Sequence, residues 1–489
     1  MSDPQPRRSL GKSTIQGAAW HYLTFFSGKL MVLAGTALLA RLLSPDDFGV
    51  VGYALTAISF LDVISDLGIG PALIYYPEEK RTTSTGFWLN LLIGLVVFGL
   101  TWLLAPLVGL YFNDQRVVPV MQVLGFVYPL RALGDTHDAI LNKRLEFGRI
   151  FLPDLLQGLT KGLASVIFAW FGFGAWSLIW GYLLGTLVSS VTYWLTSPWS
   201  PSPIFSWQIA RDLLKYGSKI IGVDIVASFL VNLDYLLIGR YLGASLLGLY
   251  TIAFRLPDLL ILQFARILSN VLFPIYTHMR DEPGSLARGF YLTTRYLSLV
   301  TVPLGLGLAL VAGPLTIAIF SEKWAASVPV VQSLAIYTLI LSLAYSAGSI
   351  YKAEGRPQIL TRLGLVRLAL LFPALWWAVT IARSIVLVGF MQALVALIGT
   401  LLSLFVASRL IKLPLSKILE ALAPSFLSGG VMSIAVFLAR QLSLSWNPWL
   451  QLALCIPLGG LVYLATLFLV QRDLLIFGWR KMRSALNLD

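Results

Sequence analysis

The chain has 489 residues, 57% of them hydrophobic and 12% charged, with a mean hydropathy of +0.80. Such values exclude a soluble globular protein, and no polar segment is long enough to form a separate globular domain. The formal net charge of +13 does not point to nucleic acid, because most Lys and Arg fall in short loops between apolar runs. Residues 1–13 carry Arg7, Arg8 and Lys12, and the apolar stretch behind them is too long for a signal peptide, so it is expected as an uncleaved first span. At about 20 apolar residues per crossing, fourteen spans are expected. They centre near Val32, Ile58, Val96, Val123, Ala164, Gly185, Phe229, Ile261, Leu304, Thr338, Leu370, Leu397, Val431 and Gly459. Between the sixth and seventh spans, Pro198, Pro201 and Pro203 interrupt any helix. Phe205, Trp207, Ile209, Leu213 and Leu214 then alternate with Arg211, Asp212 and Lys215, which predicts an amphipathic helix on the membrane surface joining two lobes.

Two pairs of segments suggest a duplication. Arg41-Leu-Leu-Ser-Pro-Asp-Asp-Phe-Gly-Val-Val-Gly-Tyr-Ala54 returns 199 positions later as Arg240-Tyr-Leu-Gly-Ala-Ser-Leu-Leu-Gly-Leu-Tyr-Thr-Ile-Ala253, each copy opening the second span of its half. Ile140-Leu-Asn-Lys-Arg-Leu-Glu-Phe147 and Ile350-Tyr-Lys-Ala-Glu-Gly-Arg-Pro357 both separate a fourth from a fifth span. Shared spacing of this kind is a common plan for transporters. It predicts an all-α membrane protein with an N-lobe at 1–200, a C-lobe at 201–412, and spans 13 and 14 in 413–489. Alternate loops counted from the N-terminus hold 24 Lys/Arg and the opposite loops 6, which predicts an even number of spans with both termini cytoplasmic.

Six basic residues remain at membrane depth: Lys29, Arg131, Lys161, Arg255, Arg266 and Arg367. A charge there costs at least ~2.5–3.5 kcal/mol, so each needs a partner, water or a ligand. The eleven-residue spacing of Arg255 and Arg266 is close to three helical turns and predicts one common face. Asp258 is a single acid for two guanidiniums, and Lys29 has no acid within one turn. The alternative is internal pairing, as Arg131–Asp135 or Arg255–Asp258. Asp62 and Asp66 share a face without a local base, and Asp224 and Asp234 mark span 7, so these four acids are candidates for handling a coupling cation. Structural pairing is the competing role. Catalytic patterns are missing: His21, His137 and His278 have no metal-ligand spacing, no GxxxxGK[ST] loop occurs, and Cys455 stands alone. His137 is expected at a loop edge.

On Lys12-Ser-Thr-Ile-Gln-Gly-Ala-Ala-Trp20, Arg41-Leu-Leu-Ser-Pro-Asp-Asp-Phe-Gly49, Asp66-Leu-Gly-Ile69, Asn232-Leu-Asp-Tyr-Leu-Leu-Ile-Gly-Arg240, Leu242-Gly-Ala-Ser-Leu-Leu-Gly-Leu-Tyr250 and Ala253-Phe-Arg-Leu256, the chain resembles a known group. This is the polysaccharide-transport branch of the multidrug/oligosaccharidyl-lipid/polysaccharide flippase superfamily, nearest to its colanic-acid and exopolysaccharide exporters. The resemblance implies two six-helix bundles in a V around a cavity, followed by two C-terminal helices. It implies movement of an undecaprenyl-pyrophosphate-linked oligosaccharide across a bacterial inner membrane, with H+ or Na+ coupling varying across the group. Implied partners are that lipid-linked oligosaccharide, membrane lipids and polysaccharide polymerase machinery, with no metal, cofactor or nucleic acid. Basic groups at depth suit an anionic pyrophosphate, which makes Lys29, Arg255, Arg266, Arg131, Lys161 and Arg367 candidate substrate contacts. A cation-coupled multidrug exporter of the same fold, and less so a membrane glycan polymerase or ligase, are the alternatives; every outside loop is short for an enzyme of that kind.

Overall fold

The computed structural model describes residues 32–279 and 284–471, and the described residues are helical with no strand. Contacts divide the chain into two units, after Gly222. In the first unit, α1 (Val32–Leu42) is followed by α2 (Pro45–Ser65), α3 (Ile69–Tyr75), α4 (Lys80–Phe112), α5 (Val117–Leu124), α6 (Val127–Lys143), α7 (Phe147–Trp170) and α8 (Trp176–Thr196). The long α9 (Trp207–Leu242) starts in the first unit and ends in the second. There α10 (Ala244–Pro257) passes through a π turn at Asp258–Leu262 into α11 (Gln263–Met279). Then come α12 (Ser285–Phe320), a 3₁₀ turn at Glu322–Ser327, α13 (Val328–Leu343), α14 (Tyr345–Ala353), α15 (Gln358–Thr380), α16 (Ile385–Leu410), α17 (Leu415–Leu442) and α18 (Pro448–Val470).

Among the described residues, thirteen helical stretches are long and apolar enough to cross a membrane, and they contain the thirteen expected centres from Ile58 to Gly459. The expected first span reaches the described residues only as α1. Apolar side chains such as Leu103 and Leu469, 74% and 84% exposed, lie on these helices. Lipid rather than water is the solvent that suits such surfaces.

Both pairs of repeated segments fold alike. Ser44 caps α2 and Gly243 caps α10, at matching places in the two copies. The amide of Phe48 donates to the Ser44 carbonyl as that of Leu247 does to Gly243. Ser44 accepts from the Asp47 amide at 3.2 Å and donates its own amide to Asp47 Oδ2 at 2.9 Å, a reciprocal cap worth about 1 kcal/mol. Beyond it, Arg116 pairs with Asp46 at 2.5 Å and Asp114 at 2.7 Å, and this guanidinium holds the Asp114 carboxyl below its ordinary value. In the second pair, the amides of Arg144 and Glu354 bond to Ile140 and Ile350, and those of Glu146 and Arg356 to Leu141 and Tyr351. The left-handed residue is Leu145 (φ 57°) in one copy and Gly355 (φ 68°) in the other. One helix-ending turn is therefore built twice, from dissimilar letters.

The expected surface helix is not a separate element but is continuous with the span that follows it. Residues from Trp207 onward begin the 36-residue α9, and its Ala210 and Leu213 are buried with Ile69, Ala72, Leu73, Leu89 and Ala139 of the first unit. An amphipathic pattern reports that one face is covered, not what covers it. The proline-rich segment before it is held to α4: the Ser202 and Ser206 amides donate to Ser84 Oγ and Thr85 Oγ1 at 3.1 and 3.2 Å, and Trp88 Nε1 donates to the Ser202 carbonyl at 2.9 Å.

Helices α7 and α8 meet through Gly181 and Gly185, a small-xxx-small pair that lets two backbones approach. A Cβ at Gly181 would sit 2.7 Å from the Lys161 carbonyl oxygen and against Ser165 Oγ. Gly181→Val is expected to cost about 1–3 kcal/mol by overpacking, read as a lower unfolding temperature and lower membrane yield. Gly99→Val is the control, since a Cβ at Gly99 has no heavy atom within 4 Å. Equal behaviour of the two variants would refute the close packing.

Candidate functional site

The first unit contains a cavity of about 260 Å³ lined by Asp62, Ser65 and Asp66 from α2 and its C-cap, Asn90 from α4, and Arg131, Asp135 and Asp138 from α6. A smaller pocket of about 180 Å³ shares Arg131, Asp135 and Asp138 and adds Asp154 and Gln157 of α7 with Tyr193 of α8. Arg131 Nη1 lies 3.3 Å from Asp62 Oδ1, and Nη2 donates to Tyr182 Oη at 3.0 Å. The same-helix pair Arg131–Asp135 is thus replaced by one reaching across to α2, and the acid pair Asp62/Asp66 has a base after all, supplied by α6. The Tyr193 hydroxyl stands 3.0 Å from Asp138 Oδ1 and 3.4 Å from Asp154 Oδ1, one phenol between carboxylates of two helices. Lys161 is exposed, with its ammonium 4.3 Å from the Tyr182 ring centre. Five carboxylates therefore share this region with Arg131 as the one guanidinium lining it. Among the described residues, no three acidic, histidine or cysteine side chains are grouped so as to hold a metal ion.

The second unit has the opposite balance. Asp258, at the start of the π turn, is paired with Arg266 and not with Arg255. Arg255 is exposed on α10 and forms no ion pair among the described residues. Arg367 of α15 donates from Nη2 to Tyr337 Oη at 3.0 Å. Tyr345 lies within electrostatic reach of Arg266, Arg367, Asp258 and Tyr337, and Tyr235 within reach of Asp234, Arg255, Asp258 and Tyr337. Arg266 is thus held by Asp258 and Arg367 by a tyrosine, with Asp258 and Asp234 the two carboxylates in reach of these tyrosines. The expectation of one straight α-helical stripe from Arg255 to Arg266 needs correction, because the π turn between them interrupts the 3.6-residue register.

Asp234 lies deeper, 6% exposed. Its Oδ2 accepts from Tyr250 Oη at 2.6 Å and Gln392 Nε2 at 3.0 Å, and Oδ1 accepts from the Tyr235 amide at 2.9 Å. No basic side chain pairs with it among the described residues, and Gln392 Oε1 is buried without a hydrogen bond. Lys29 and the side chain of Asp224 lie outside the described residues. His137 is fully buried on α6, not at a loop edge, with its ring 4.9 Å from that of Trp194 and 5.1 Å from that of Trp199.

Sequence reasoning missed the tyrosines (Tyr182, Tyr193, Tyr250, Tyr337) and Gln392, because their roles come from helices far apart in the chain. The one local signal was that each membrane-depth charge needs a partner, and a polar aromatic is a natural one.

Comparison with known proteins places this geometry in a family. A family model described as "Polysaccharide biosynthesis protein" matches residues 38–329. The teichuronic acid biosynthesis protein TuaB of Bacillus subtilis is 27% identical over 468 residues, covering 93% of this chain and 95% of that protein. The lipopolysaccharide biosynthesis protein WzxC of Escherichia coli is 29% identical, covering 81% of each. In fold, the chain is similar to the lipid II flippase MurJ in an inward closed conformation, with a TM-score of 0.75 at 16% identity, over 93% of this chain and 99% of that one. With more than half of its length under the family model, this multi-pass membrane chain belongs to the polysaccharide biosynthesis protein family.

Proposed function

We propose that the protein is a transporter that carries a polyprenyl-pyrophosphate-linked oligosaccharide repeat unit across the bacterial inner membrane by alternating access. The observation that supports this reading is three membrane-depth arginines in the second unit: Arg255 exposed with no ion pair among the described residues, Arg266 held by Asp258, and Arg367 held by the Tyr337 hydroxyl. A pyrophosphate brings negative charge that is expensive to desolvate, and planar guanidiniums offset that cost with paired charge-assisted hydrogen bonds. The names of TuaB, a teichuronic acid biosynthesis protein, and WzxC, a lipopolysaccharide biosynthesis protein, support a glycan cargo. The likeness to MurJ supports the fold alone. The loop charge bias supports both termini on the cytoplasmic side and a pseudo-twofold relation between two six-helix lobes, and the twice-built turns support the duplication. Polysaccharide polymerase machinery is the expected consumer of the product, and Arg131 and Lys161 are weaker candidates for substrate contact, being engaged with Asp62 and Tyr182.

The carboxylate-rich cavity of the first unit favours a second reading, export of a cationic small molecule. Deleting the gene in its native host separates the two. On the glycan reading, surface polysaccharide falls and lipid-linked repeat units accumulate on the cytoplasmic side, with drug sensitivity unchanged. Loss of drug resistance with normal polysaccharide would refute it.

A further inference from the structure

We infer that the turn joining α16 to α17 is a binding site for an anionic diacyl phospholipid of the surrounding membrane, separate from the cargo site. An open cavity of about 390 Å³ is lined by Phe405, Ser408, Arg409, Lys412, Leu413 and Leu415. Both helices are candidate spans that end here, so the cavity lies where chain leaves hydrocarbon for headgroups. Arg409 and Lys412 are exposed, and neither forms an ion pair among the described residues. Glu420 is the one acidic residue between positions 384 and 472, and Lys417 holds it at 2.8 Å with Tyr291 on its other oxygen. Among the described residues the cavity lining thus holds two cations and no acidic side chain.

The backbone adds an independent sign. The Leu413 amide closes back on the Ser408 carbonyl at 2.9 Å, and Lys412 takes the left-handed position of that turn with φ 54°. Glycine usually occupies this place, and a side chain there costs about 1–2 kcal/mol. A lysine kept at such a position delivers an ammonium to the cavity at the expense of stability.

The apolar half of a lipid is matched as well. Phe390, Leu394, Leu397, Leu401 and Phe405 are all exposed along α16 at helical spacing, and Arg409 continues the same row. The row is about 22 Å long, enough for an acyl chain crossing one leaflet of a ~30 Å core. The Arg409 guanidinium carbon stands 5.2 Å from the Phe405 ring centre, where apolar track meets charge. A phosphodiester on Arg409 and Lys412 with its chain along this row satisfies both halves, whereas a soluble phosphate would leave the row unused.

The test uses the full-length protein in nanodiscs of phosphatidylcholine alone or mixed with phosphatidylglycerol. Phosphatidylglycerol is expected to raise the unfolding temperature of the wild type, and Arg409→Gln with Lys412→Gly to remove most of that rise, with retained phosphatidylglycerol about tenfold lower by native mass spectrometry. Lys412→Gly alone serves as the folding control: by relieving the left-handed lysine it should unfold no earlier than wild type in phosphatidylcholine, yet respond less to phosphatidylglycerol. An undiminished rise in the double variant, or no rise in the wild type on adding phosphatidylglycerol, would overturn the site. Inorganic phosphate reproducing the rise in phosphatidylcholine would overturn the lipid assignment in favour of a soluble anion. Glycan export is not the readout, so this outcome stands apart from the cargo assignment.

Discussion

Changing Arg255 and Arg266 together to alanine is expected to cut glycan export about 100-fold or more. Each guanidinium that hydrogen bonds a phosphate is worth about 1.5–3 kcal/mol, and about 1.4 kcal/mol is a factor of ten. Loss of Arg266 also strips Asp258 of its partner, so a fall in export from the double variant alone would mix binding with stability. The decisive protein therefore carries Asp258→Asn as well, which removes the stranded carboxylate. Its membrane level should approach wild type, while lipid-linked precursor accumulates on the cytoplasmic side. Arg255→Lys keeps the charge without the planar fork and should lose only part of the activity. Normal export from the well-expressed triple variant would remove the second-unit arginines from the mechanism.

Asp234→Asn should uncouple export from its driving gradient while leaving the fold in place. This carboxylate is buried in a span without a basic partner among the described residues, which makes it our candidate for binding a coupling proton or sodium ion. Asparagine keeps the volume and an acceptor for Tyr250, so the unfolding temperature should change little. Asp234→Leu strands the Tyr250 hydroxyl and the Gln392 amide, at about 1–3 kcal/mol each, and should be clearly destabilised. Export by Asp234→Asn is then measured across pH and across sodium concentration. Loss of the pH response assigns a proton, and loss of the sodium response assigns that ion. If both responses match wild type, Asp234 is structural, and the carboxylates around Asp62 and Asp66 are next to be tested in the same way.

How much of this was legible in the chain depends on the range of the interaction. The spans were legible because hydropathy sums over about 20 neighbours and needs no partner, so every expected centre from Ile58 onward falls in an apolar helix. The repeated segments were legible at Gly49/Gly248 and at Ala54/Ala253 because small residues recur at matching buried positions of α2 and α10. The same turn made by Leu145 in one copy and Gly355 in the other shows why letters understate the match. Charge pairing was not legible. Arg131 chose Asp62, 69 positions away, over Asp135 one turn along its own helix, and Asp258 took Arg266, eight positions on, in place of Arg255. Helical spacing proposes neighbours but cannot rank them against side chains arriving from other helices, nor does it foresee a π turn.

That π turn has a consequence for motion. Pro257 supplies no amide to the ladder just where Asp258–Leu262 winds wider than its flanks, so the rod carrying Arg255 and Arg266 holds a surplus residue at its middle. Passing that surplus one step along the rod would swing only the residue it passes by roughly 100°, leaving the two arms in phase and exchanging only a few backbone bonds. A movable surplus of this kind re-aims single side chains at the middle of the rod, Asp258 among them, without unfolding either arm. On the proposed cargo reading, a swing of Asp258 away from Arg266 would free that guanidinium for a phosphate, and its return would take the guanidinium back.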